Sequence, residues 1–165
     1  MTDVEPVFID EGEIRRLGLT PSDARNALLH AYRLQHAGRV HVQPKMSLDI
    51  APGRKFQAMC AACEELGLAV VKWLGVAPRI AGDASPGIHA LAVLNDFNSG
   101  VPLAVMEANA MTGLRTAGMS ALAAWFLARK DSRTIGFIGC GLQARMHLEA
   151  MCDLFPSLTV ALCNS

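Results

Sequence analysis

The chain has 165 residues, enough for one ordinary domain with a real core, and is 52% apolar with a formal net charge of zero. That balance argues against the basic surface on which nucleic-acid binding depends. No apolar run reaches the length of a membrane span, and the acidic opening MTDVEPVFIDEGE does not read as a secretory signal.

Glu11 to Leu17 reads as a short helical turn. A stronger helix follows, with Thr20 as N-cap, Pro21 at the first helical position and Asp23 at capping-box spacing. Ala24, Ala27, Leu28, Ala31, Leu34 and Gln35 recur at helical spacing until Gly38 ends the run. From Val40 the texture changes to short strands. VHVQPKMSLDI leads through the Pro-Gly turn of APGRK into FQAMCAA, and LAVVKWLGV follows EELG. IHALAVLND and VPLAVME flank FNSG, which reads as a hairpin loop. The pattern predicts a meander of mainly antiparallel strands with one apolar face. Five scattered cysteines, an odd number, fit free thiols in a reducing cytoplasm. Cys60-Ala-Ala-Cys63 has redox or half-metal-site spacing, but it lacks a second pair and a helix-opening context, so it reads as two ordinary thiols.

MTGLRTAGMSALAAWFLARK predicts a long helix with Thr112 as N-cap, and its Gly and Ala content permits close packing on a neighbour. DSR is a short loop, TIGFIG a buried strand, GCGLQA the turn into a helix, and LTVALCNS a second buried strand. The fold class is α/β: an N-terminal α+β domain over residues 1–130, then over 131–165 the start of a Rossmann doubly wound parallel sheet, truncated after its first βαβ.

Gly139-Cys-Gly141-Leu-Gln-Ala144 fits the G-x-G-x-x-G/A pattern of a dinucleotide site, in the strand–turn–helix context that the pattern needs. Gly139 would allow the tight turn, Gly141 the approach of a pyrophosphate to the backbone, and Ala144 the packing of helix on strand. The helix N-terminus then offers free N–H groups and partial positive charge to the phosphates. The other reading is a strand-to-helix turn with glycines for steric reasons alone. The end of the second strand, where an acid normally binds the ribose 2′-hydroxyl, falls on Asn164 or Ser165. Neither would repel a 2′-phosphate, which tilts the expectation from NAD toward NADP(H).

Lys72 stands inside the apolar LAVVKWL. It is either a cleft lysine suited by desolvation to acid–base or imine chemistry, or a lysine on the wet face of a half-buried strand. Lys45, in QPKMSL, reads by itself as a solvated edge charge. Arg115 follows Thr112 by three residues, which would put it in the first turn of the long helix. A cation there makes sense if arginine and helix end together address a carboxylate or phosphate; otherwise it pairs with Glu107 or Asp96. His89 and His147 have no partner spacing and read as structural, and no metal-ligand cluster is visible.

Taken together, NDFNSGVPLAVMEANAMTGLRTAG followed by ALAAWFLARKDSRTIGFIGCGLQA resembles the ornithine cyclodeaminase/mu-crystallin family. The likeness runs from about Gln43 to the end and is most specific from Leu94 to Ala144. The resemblance implies a substrate-binding and dimerisation domain of helix and sheet followed by a Rossmann domain, with the substrate between them facing a nicotinamide, in a cytoplasmic homodimer. It implies an NAD(P)-dependent enzyme acting by hydride transfer at a carbon that bears an amine or imine. Lys72 matches the family's active-site lysine, and Arg115 the arginine that holds the substrate carboxylate. Leu142 and Gln143 match cofactor-contacting positions after the glycines. Many members carry an arginine shortly after Gln-Pro; here the run is Gln43-Pro44-Lys45-Met46, which looks like the alanine-dehydrogenase branch and makes Lys45 the replacement.

Members are longer than this chain. The resemblance therefore implies an N-terminal half, or a chain completed by another polypeptide, without the rest of the Rossmann sheet. Three functions follow as expectations: an amino- or imino-acid oxidoreductase, an ornithine cyclodeaminase that recycles its cofactor and releases ammonia, or a non-catalytic ligand-binding or dimerising module.

Overall fold

The computed structural model describes residues 5–78 and 87–163. Contacts divide the chain into two compact units, Met1–Leu17 with Leu34–Ala110 and Gly18–Arg33 with Met111–Ser165.

The first unit is built on a seven-stranded sheet. Its strands are β1 (Val7–Ile9), β2 (Val40–Val42), β3 (Met46–Ala51), β4 (Arg54–Cys63), β5 (Leu68–Val76), β6 (Ile88–Asp96) and β7 (Pro102–Glu107). The path runs β1-β7-β6-β5-β4-β2, with β3 also paired to β4. β4 to β7 form the expected antiparallel meander. β1, which nothing in the local sequence announces, adds to the edge of β7 in parallel. Helix α1 (Glu11–Arg16) starts from a capping box in which Asp10 and Glu13 each accept the other's backbone N–H.

Turn chemistry sets the register. Pro52-Gly53 joins β3 to β4 with Gly53 at φ +70°, a conformation that a side chain resists. At the β6–β7 hairpin, Asp96 Oδ1 accepts from the backbone N–H groups of Asn98 and Ser99 and from the Ser99 hydroxyl. The Gln43-Pro44-Lys45 run separates β2 from β3, because proline has no N–H to give a ladder.

Alternation along the strands gives the sheet two faces. One carries Gln57, Cys63, Leu74, Ala90, Ala92 and Ala104, all buried. Its centre is the cluster of Leu74, Ala90, Ala92 and Ala108, with Val70, Val76 and Met106 packed against it. The other face carries Phe56, Trp73 and Leu91 in neighbouring strands, at 39%, 42% and 45% exposure, with Met46 and Leu48 beside them. Phe56 and Trp73 stack at 5.8 Å. The sheet is therefore apolar on both faces, not one. Cys60 and Cys63 fall on opposite faces, exposed and buried respectively. Three residues of strand separate them by about 10 Å, too far for a disulfide or a shared metal.

The second unit contains most of helix α2 (Pro21–His36) and of helix α3 (Asn109–Leu127), with β8 (Thr134–Ile138), α4 (Leu142–Leu154) and β9 (Thr159–Cys163). Thr20 and Asp23 form the expected box at the start of α2. Small residues let the helices meet closely. A Cβ on Gly118 of α3 would lie 3.0 Å from Ala24 Cβ, and one on Gly113 would lie 3.2 Å from Met146 Cγ. Ala117, Ala121 and Ala150 are almost fully buried together between α3 and α4. β8 and β9 pair in parallel from Thr134↔Thr159 to Ile138↔Cys163, so β8–α4–β9 is the predicted βαβ.

One local expectation fails. Thr112 is not the N-cap of the long helix, because α3 already begins at Asn109, directly after β7. Glu107 Oε1 accepts the Asn109 N–H at 2.7 Å and so supplies the acceptor that Thr112 was expected to provide. Arg115 consequently lies in the second turn of α3, beyond the reach that the helix-end argument gave it.

Candidate functional site

In the first unit, register sets Lys72 in a row across the sheet: Met59, Lys72, Ala92 and Met106 are successive partners on β4, β5, β6 and β7. Lys72 therefore belongs to the buried face, next to Leu74 and Ala92, and is itself half-buried. Of its two sequence readings, the wet-face one does not hold. Lys45 directly precedes the first β3–β4 pair, Met46↔Ala58, and is exposed. Alternation extended by that residue puts it on the same face as Lys72, with β4 between them. Gln57, also on this face, is buried and donates to Ser47 Oγ at 3.4 Å.

A cavity in this unit lies elsewhere. It has a volume of about 490 Å3 and opens on the exposed face, between Phe56, Trp73, His89, Leu91 and Glu107. Glu107 Oε2 and Asn109 Oδ1 are buried there without a hydrogen-bond partner among the described residues. Alternation directs Lys72 to the other side of the sheet, so the concavity and the candidate chemistry are separate features.

In the second unit, the glycine turn has the geometry that a dinucleotide needs. Gly139 sits at φ +87°, which disfavours any side chain. Gly141 is the N-cap of α4 and has no side-chain cap. The first intrahelical bond runs from Arg145 N to Gly141 O, so the N–H groups of Leu142, Gln143 and Ala144 have no acceptor within the helix. A Cβ on Gly141 would project into open space, the space that a phosphate approaching the backbone would take. Gly141, Leu142 and Gln143 are exposed, while Ala144 is partly buried. The residues present fit a dinucleotide pyrophosphate. Asn164 and Ser165 lie outside the described residues.

Arg115 is half-buried and has no ion-pair partner among the described residues. Of the carboxylates proposed as its alternative partners, Glu107 accepts through Oε1 from the start of α3 and Asp96 accepts within its own hairpin. A partly buried guanidinium in this state is suited to an external anion.

Sequence reading missed one pair. His147, on α4, bonds through Nδ1 to the Gln143 carbonyl at 2.7 Å and through Nε2 to Ser120 Oγ of α3 at 2.9 Å. No spacing rule relates residues 27 apart on two helices.

The sequence model of the ornithine cyclodeaminase/mu-crystallin family matches residues 6–164. The chain belongs to this family. It is 38% identical over 152 residues to an alanine dehydrogenase of Archaeoglobus fulgidus, covering 92% of this chain and 46% of that protein. Among solved structures it is similar to an archaeal alanine dehydrogenase dimer with bound NAD (TM-score 0.88, 35% identity, 96% of this chain and 48% of that one). It is also similar to the Thermococcus litoralis Δ1-pyrroline-2-carboxylate reductase in complex with NADH and L-proline, with TM-score 0.89, 26% identity and coverage of 96% and 49%. The chain thus spans about half the length of the relatives that it matches. The mixed α/β fold expected from the sequence is the fold of these ornithine cyclodeaminase/mu-crystallin structures.

Proposed function

We propose that this protein serves an NAD(P)-dependent oxidoreductase that transfers a hydride at the α-carbon of a small amino acid or its cyclic imine. One observation carries the reading: Lys72 is held half-buried on the packed face of the sheet, among alanine and methionine, in a chain whose second unit presents an uncapped glycine turn. Family membership supports it.

Nicotinamide, when bound, supplies or accepts the hydride. Gly139 and Gly141, with the N–H groups of Leu142, Gln143 and Ala144, would hold the pyrophosphate. Asn164 and Ser165 would meet the ribose, and their lack of charge tolerates NADP as well as NAD, with a slight tilt to NADP. Arg115 and Lys45 would neutralise the substrate carboxylate. Lys72 would hold or exchange a proton at the substrate nitrogen. Functionally we divide the chain into residues 1–130 for substrate and dimerisation and 131–165 for the cofactor. The exposed apolar face of the first unit is the surface that a second copy would cover.

The test is turnover by the native polypeptide with NADH or NADPH and a panel of amino and cyclic imino acids. Lys72→Ala and Arg115→Ala should each lower kcat/KM by roughly a hundredfold or more. Wild-type turnover in both variants would sink the assignment. The cyclodeaminase reading shares these residues and is distinguished by ammonia release without net cofactor consumption.

A further inference from the structure

We infer that His147 and Ser120 form a polar lock that positions the cofactor turn, an inference that rests on the dinucleotide reading above. Gln143 O is a carbonyl and can only accept, so the hydrogen at 2.7 Å belongs to His147 Nδ1. In the neutral ring Nε2 is then an acceptor, and the Ser120 hydroxyl donates to it at 2.9 Å. The imidazole thus bridges two helices with its tautomer determined by geometry. One end is tied to the carbonyl of Gln143, in the first turn of α4, whose N–H groups point at the phosphate position. The other end is tied to α3, five residues after Arg115.

The surroundings define what this pair does. Around it the α3–α4 contact is apolar and mostly small: Ala117, Ala121 and Ala150 are buried together, with Leu154 packed on them and Met146 against Gly113. Such a smooth, small-residue seam fixes distance well and resists sliding poorly. A hydrogen bond with direction fixes the register along the seam. Ser120 and His147 have the contact of a nucleophile and its base, but they sit in a seam of packed apolar side chains, and the cavity described above and a second one beside β4–β6 lie in the other unit. His147 and Ser120 are therefore positioning residues. They hold the Gln143 carbonyl, and with it the orientation of the neighbouring N–H groups.

The experiment compares Ser120→Val with Ser120→Thr in the native polypeptide, two side chains of nearly equal shape of which only threonine keeps the hydroxyl. NADH and NADPH dissociation constants are measured by calorimetry, and the His147 ring is read by 15N NMR. The lock predicts that the valine variant binds dinucleotide roughly three- to tenfold more weakly, the range set by the net worth of one hydrogen bond. The threonine variant stays within about twofold of wild type, and the wild-type ring carries its hydrogen on Nδ1. Equal affinities in the two variants, or a ring protonated only on Nε2, overturn the inference. If the wild-type protein binds neither dinucleotide, the cofactor reading fails by itself. Amide exchange at Leu142, Gln143 and Ala144 then decides the lock: faster exchange in the valine variant than in the threonine variant supports it, and equal rates overturn it.

Discussion

The two faces of the first unit's sheet have been solved differently. On one, the chain fills its own surface: Leu74 is 7% exposed, Ala90 5% and Ala92 7%. On the other, at the adjacent positions of the same strands, Trp73 is 42% exposed and Leu91 45%. Both faces mix small and large side chains, but on the second the large ones, Phe56, Trp73 and Leu91, stay exposed while Ala58 between them is buried. Large apolar residues left exposed on a sheet face are what a surface completed from outside would carry. The buried face carries Lys72, so the proposed chemistry and the proposed assembly would use opposite sides of one sheet.

The comparison is broken most decisively at Trp73. Trp73→Arg should weaken self-association by about a hundredfold or more, seen as monomer in sedimentation at concentrations where the wild type is a dimer. A wild-type protein that is monomeric at every concentration would remove the second copy from the account. One residue along, Leu74→Ala should leave association alone and cost about 2–4 kcal/mol of stability, read from denaturant unfolding under conditions where both proteins have the same oligomeric state. A cost near zero would mean that the buried face is not a core. Phe56→Ala, back on the exposed side, should cost the isolated monomer no more than about 1 kcal/mol, mostly its stacking on Trp73. That measurement needs a monomeric background that keeps Trp73, such as Leu91→Arg compared with the matched double variant, and a larger loss would show that the exposed face also holds the monomer together.

The smallest effect is a control at the β6–β7 turn. The Ser99 hydroxyl, then its backbone N–H, hold the Asp96 carboxyl below the ordinary aspartate value of 3.8. A depressed folded value means that the contribution is present above pH 3.8 and is lost as pH falls through the folded value. Ser99→Ala should raise the Asp96 midpoint toward the ordinary value in an NMR titration. The stability difference between variant and wild type should vanish at the acid end. An unchanged midpoint would show that the hydroxyl is not the cause.

How much of this was legible depended on how local the cause was. β5 and β6 coincide with LAVVKWLGV and IHALAVLND because alternation and flanking turn residues carry them. The box at Thr20 and Asp23 and the turn at Gly139 were legible for the same reason. β1 was not, because a three-residue strand is defined by its distant partner β7. Thr112 misled because a carboxylate just upstream already served the helix start. In the candidate site, Lys72 and the glycine turn stood out as candidates by residue type and context. The Ser120–His147 pair depends on helix packing that no short pattern encodes, and the second apolar face became visible only once register had sorted neighbours such as Trp73 and Leu74 to opposite sides.

The two thiols of β4 turn this architecture into a pair of clocks. Cys60 faces outward and Cys63 inward, so one reagent acting on one strand reports two different events. Cys60 reacts at the rate at which the outer face is uncovered, and that rate slows with protein concentration if a second copy sits there. Cys63 waits for the core to open, at a rate indifferent to concentration in the monomer and governed by the opening free energy. Site-resolved mass spectrometry of a single alkylation time course would read assembly and folding side by side, with no mutation to disturb either.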